Sequence, residues 1–136
     1  NKIVQGKINY KKYIKNHLSI KDQLKYKFII SIQGNDVASG LKWQLYSNSV
    51  VIMPKPTVCS WLMEDKLIPY THYIPLKDDL SDLYDRFNWA LKNVNSCIEI
   101  SKNSTRWIEQ FLDKKKENII QREIMKKFLT NVDIIP

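Results

Sequence analysis

The sequence predicts an α/β domain built on a short parallel sheet, and three observations predict it. Brief apolar runs rich in β-branched residues recur at residues 28–32, 50–53 and 71–76. Helical patterns or turns lie between them, and strands joined by crossovers of a dozen or more residues pair in parallel with right-handed connections. The length of 136 residues, with 43% apolar and 26% charged residues, suits one domain with a single buried core.

Taken in chain order, residues 6–22 place Tyr10, Tyr13, Ile14 and Leu18 at helical spacings among lysines, which predicts a short amphipathic helix. Phe28-Ile29-Ile30-Ser31-Ile32 reads as a strand covered on both faces. A polar loop at residues 33–38 follows. Ser39 is then placed to cap a helix carrying Leu41, Trp43, Leu45 and Tyr46, which stops at Ser47-Asn48-Ser49. Val50-Val51-Ile52-Met53 closes against Pro54 and Pro56, where proline takes the chain out of the sheet. A short helix or turn at residues 60–64 leads to a third strand within Thr71-His72-Tyr73-Ile74-Pro75-Leu76.

Residues 79–92 predict the clearest helix. Leu80, Leu83, Phe87, Ala90 and Leu91 share a face, while Asp78, Asp79 and Asp82 suit its positive N-terminus and, with Asp85, take surface roles. Cys97, Ile100, Ile108, Phe111 and Leu112 continue helix to residue 113. Ile119, Ile120, Ile124, Phe128 and Leu129 mark a last one, with Lys114-Lys115-Lys116 as a solvated hinge between them. The domain reading is a basic segment at 1–18, a ligand-binding domain at 19–113, and a C-terminal helix and tail at 114–136.

The net charge of +8 is concentrated at the ends. Residues 1–27 hold eight Lys against one Asp, whereas residues 28–101 hold six basic and eight acidic side chains. Lysines with interleaved tyrosines at the N-terminus admit a noncatalytic nucleic-acid-binding module as a rival reading, but a slightly acidic middle argues against it, so no nucleic acid is expected. Two isolated Cys and two His have no zinc-ligand spacing, and no metal site is expected. Cys59 lacks partners for a nucleophile and reads as a buried structural thiol. No apolar run is long enough to span a bilayer.

The loop after the first strand is the leading candidate site, because in open parallel sheets ligands sit beyond the carboxyl ends of the strands. Gly34 permits a turn or close backbone approach, Asn35 and Asp36 offer polar groups, and Ser39, Gly40 and Lys42 start a helix with free N–H groups and one cation. An ordinary capped helix with Lys42 in solvent is the alternative. The segment from Pro54 to Asp65 lands on the same rim, so Thr57, Ser60 and Glu64 are candidates to face a nucleoside. Trp61 is a stacking plate or, more commonly for its type, a core residue. His72 is a candidate contact or a satisfied structural histidine.

The sequence Lys27-Phe28-Ile29-Ile30-Ser31-Ile32-Gln33-Gly34-Asn35-Asp36-Val37-Ala38-Ser39-Gly40-Leu41-Lys42-Trp43, with Ser47-Asn48-Ser49-Val50-Val51, resembles glycosyltransferase family 90. The family includes capsule-associated and lipopolysaccharide-modifying transferases and protein O-glucosyltransferases. Trp61, Met63-Glu64, Pro69, His72-Tyr73-Ile74-Pro75-Leu76, Asp79-Leu80-Ser81-Asp82-Leu83 and Trp89 recur in the order of its C-terminal half. The resemblance implies a Rossmann-like, three-layer domain, the donor-binding half of a GT-B glycosyltransferase. It also implies a nucleotide sugar, UDP-linked, as donor substrate, with no cofactor. The partners implied are an N-terminal Rossmann-like half that supplies the carboxylate base, and a glycan or protein acceptor.

On that resemblance Asn35, Asp36, Ser39 and Lys42 are candidates for the diphosphate and sugar and Thr57, Trp61 and Glu64 for the nucleoside, in a donor-binding site that also includes Gly34, Gly40 and His72, with no catalytic residue in this chain. Eukaryotic members place an Arg near Gly40, Leu41 and Lys42, and many members have a Glu where Cys59-Ser60 stand here. A degenerate remnant of a transferase is the third reading. The basic termini suit the missing half, an acidic polysaccharide or peripheral contact with a membrane, and the compartment is left open.

Overall fold

The computed structural model describes residue 14 and residues 16 to 132. The helix expected at residues 6–22 lies mostly outside this range. Within it, residues 16–19 form no regular element, and Ser19 caps a single turn, α1 (Ile20–Gln23), its hydroxyl accepting the Asp22 N–H.

Three strands form one sheet in the order β1 (Phe28–Ile30), β2 (Val50–Pro54), β3 (Ile74–Leu76). All pair in parallel, with Phe28 opposite Val50 and Ile52 opposite Ile74. Being central, β2 divides the core by its alternation. Val51 and Met53 pack with Leu41, Leu45, Leu62, Tyr73 and Ile108 on one side. Val50 and Ile52 pack with Ile74, Leu76, Ala90, Cys97 and Ile100 on the other. Both faces of β2 are therefore covered, as parallel pairing demands.

The helices supply those covers. α2 (Leu41–Leu45) fills the first crossover, and a 3₁₀ turn at Glu64–Lys66 lies in the second, slightly later than the turn expected at residues 60–64. α3 (Leu83–Lys92) packs on β3. α4 (Val94–Glu109) contributes Cys97 and Ile100 to one core and Ile108 to the other, so a single helix ties the two halves together. α5 (Lys114–Asn131) follows with no buried residue.

Several expectations are corrected. β1 is not covered on both faces: as an edge strand it leaves Ile30 49% exposed, and Ile32 beyond its end is equally open. The third strand begins at Ile74, because Thr71 and His72 belong to the preceding turn. α3 starts four residues later than Asp79, since Leu80 adopts a left-handed φ of 59° that no helix tolerates, yet still packs against the core. Leu91, expected on the apolar face of α3, is exposed.

Asp82, expected at the surface, is only 6% exposed; it accepts the Lys77 N–H and pairs with Arg86 at 2.8 Å. The backbone donor, reinforced by the guanidinium, holds its pKa below the usual carboxylate value. Lys114-Lys115-Lys116 is no hinge. It forms the first turn of α5, with Asp113 accepting the Lys115 and Lys116 N–H groups.

No helix among the described residues is long and apolar enough to cross a membrane.

Candidate functional site

Parallel pairing brings the carboxyl ends of β1 and β2 to one rim of the sheet. Ser31 adds one more ladder bond, its N–H donating to the Ile52 carbonyl at 3.1 Å, and the chain then leaves the sheet. The side chain of Gln33 turns towards the loop after β2. Its Nε2 donates to Thr57 Oγ1 at 2.7 Å, while its Oε1 accepts the Thr57 N–H at 3.1 Å. Two segments 24 residues apart are thereby joined at two points. Beside this junction is a small open hollow of about 30 Å³ whose lining includes Ser31, Gln33, Leu41, Lys55 and Glu64.

Lys42 and Trp61 meet across the same rim, the ammonium 5.0 Å from the ring centroid. Trp61 is 60% exposed and packs against Phe111 in a T-shaped pair with centroids 5.6 Å apart, so its expected place in the core is corrected to the surface. Glu64 is 2% exposed and accepts both the Ser60 N–H, at 2.6 Å, and the Ser60 hydroxyl, at 2.7 Å. Those bonds close the turn at residues 60–64, and Glu64 also forms part of the wall of the hollow.

The other loop candidates sit differently from expectation. α2 begins at Leu41, with Gly40 at the cap position and no side chain capping it; Ser39 is an exposed turn residue. A five-residue helix without a hydroxyl cap does not offer the anion-binding start that the sequence suggested, so Lys42 and the loop itself must supply any attraction for phosphate. A Cβ on Gly40 would lie 3.1 Å from Gln44 Nε2 and 3.2 Å from Trp43 Nε1, which explains the glycine by packing. Gly34 has no left-handed φ and open space around it. Asn35 and Asp36 are exposed, and Asp36 Oδ1 accepts the Val37 N–H at 2.7 Å.

His72 lies just before β3, at the amino end of the sheet rather than the rim. It is buried, Nδ1 accepts the Ile68 N–H at 2.9 Å, and the ring packs against Trp107 at 5.2 Å. Burial pushes its pKa below the usual imidazole value. Cys59, expected to be buried, is exposed; Cys97 is the buried thiol. The Cys59 thiol donates to Asp65 Oδ1 at 3.0 Å, and that carboxylate raises its pKa, the opposite of what a nucleophile requires. Among the described residues no group of three or more His, Cys, Asp or Glu could hold a metal ion.

The structure thus brings Lys42, Thr57, Trp61 and Glu64 to one rim, alongside the loop of Gly34, Asn35 and Asp36, and leaves His72 apart. Gln33 and Lys55 were not singled out by sequence. The signal available for Gln33 was its place as the first polar residue past a strand.

Comparison with known proteins supplies the context for this rim. The family described as Glycosyl transferase family 90 matches residues 3–130. The chain is 37% identical over 120 residues to O-glucosyltransferase LpsA of Dichelobacter nodosus, a match covering 88% of this chain and 38% of that protein. It is 36% identical over 74 residues to Protein O-glucosyltransferase 2 of Danio rerio, covering 54% and 15% respectively. With Protein O-glucosyltransferase 3 of Homo sapiens it shares 25% identity over 108 residues, 79% of this chain and 21% of that one. The chain spans well under half the length of these relatives.

Proposed function

This chain belongs to glycosyltransferase family 90, and from that premise we propose that it is the nucleotide-sugar-binding part of a sugar transferase of GT-B architecture. The observation that carries the reading is the convergence at one rim of Lys42, Trp61 and the Gln33–Thr57 junction, drawn from α2 and the loops after β1 and β2. Such a rim supplies what a nucleoside diphosphate needs. Lys42 and Lys55 offset the phosphate charge, the exposed Trp61 side chain packs against the base, and Glu64, which lines the hollow, is assigned to a ribose hydroxyl.

The donor in this reading is a UDP-sugar, and the acceptor a hydroxyl on a glycan or protein. The acceptor oxygen attacks the anomeric carbon as a carboxylate base takes its proton, the bond to the diphosphate breaks, and the cations hold the departing charge. That base belongs to a second Rossmann-like half outside this chain. The present rim contributes binding and leaving-group stabilisation, and the chain alone catalyses little.

Lysine is a point charge rather than a bidentate fork, so Lys42 neutralises phosphate without fixing its orientation. Titration calorimetry with UDP tests the assignment. Lys42→Ala is expected to weaken binding about tenfold, the equivalent of one charge-assisted contact. Equal affinity for both proteins would remove Lys42 from the site, and absence of binding by either would end the donor-binding reading.

A further inference from the structure

The amide of Gln33 has only one orientation available to it. A backbone N–H can only donate, so the atom facing the Thr57 N–H, 3.1 Å away, must be the oxygen of the amide. The other amide atom is then the NH₂ group, and it donates to Thr57 Oγ1 at 2.7 Å. With a lone pair of that oxygen occupied by Gln33, the hydroxyl proton of Thr57 must point elsewhere. Both residues lie on the rim, Thr57 is exposed, and Gln33 also lines the hollow.

We propose that Gln33 is a positioning residue which presents the Thr57 hydroxyl as a hydrogen-bond donor to an anionic oxygen of the bound diphosphate. The inference rests on the donor-binding reading above. Gln33 touches no ligand in this role. It sets the spacing between the loops after β1 and β2 and fixes the direction in which Thr57 donates, so it acts through Thr57. Freed of Gln33, the hydroxyl rotates among several acceptors and the loop after β2 loses its tie to β1, so ordering both on ligand arrival lowers affinity.

A double-mutant cycle on UDP binding, read by calorimetry on the whole chain, separates this from a merely structural bond. Gln33→Ala and Thr57→Val are each expected to bind about tenfold more weakly, and the double variant no more weakly than either. Thr57→Ser keeps the hydroxyl and is expected to retain most of the affinity. Melting temperatures close to that of the parent chain are expected throughout, because the pair lies at the surface.

Losses that multiply in the double variant would show that Gln33 and Thr57 act separately and would overturn the proposal. So would undiminished binding by Gln33→Ala, or a Thr57→Ser variant as weak as Thr57→Val. Should the parent chain itself fail to bind UDP, the donor-binding reading falls first and this inference with it; binding that is insensitive to Gln33 refutes the inference alone.

Discussion

His72 is a residue type often tied to catalysis that is used here for packing. Its imidazole accepts the Ile68 N–H and lies against Trp107, away from water. Burial lowers its folded pKa, so in acid the unfolded chain takes up a proton that the folded chain refuses. The stability this residue contributes is complete above the unfolded value of about 6.5 and is lost as pH falls from there through the folded value. Melting at about pH 7.5 and about pH 5.5 is expected to show a fall in Tm that His72→Gln reduces. An unchanged slope in the variant would move the effect elsewhere. The sequence left His72 open between ligand and structural residue, since residue type carries no burial. Trp61 and Cys59 were misplaced for the same reason: their types are usually buried, but the loop after β2 runs over the rim and holds both at the surface.

At the scale of elements, α5 is the least supported. None of its residues is buried, so its helicity depends on local terms such as the Asp113 cap and the Glu123–Lys126 pair at 2.6 Å. Asp113→Ala, removing an acceptor for two N–H groups, is expected to cost α5 about 1 kcal/mol. Circular dichroism should then lose helical signal while the cooperative Tm of the core stays put; a matching loss of Tm would mean that α5 is coupled to the core. The existence of α3, α4 and α5 was legible in their apolar spacing. Their starts were not. A leucine at φ 59° gives no mark in the sequence, and Asp113 reads as the end of the preceding helix until its side chain is seen to accept two amides at the start of α5.

For the whole molecule, parallel pairing was legible from the spacing of three apolar runs, and with it the meeting of two loops on one rim. What those loops do to each other was not, because the Gln33–Thr57 junction depends on side-chain directions that periodicity does not contain. Nor did spacing reveal that β1, an apolar run broken only by Ser31, forms an edge of the sheet. Among the described residues its far side has no neighbouring strand, and Ile30 and Ile32 stand half uncovered beside it. A strand edge with no strand paired to it among the described residues, flanked by isoleucine, is a template on which a second molecule can grow. The isolated chain should therefore self-associate with rising concentration in sedimentation velocity, and Ile30→Lys should suppress this by placing a charge on the seam. A lysine variant that associates like its parent would locate the contact elsewhere. The strand leading into the candidate site is thus also the seam along which a second copy of this chain is expected to add.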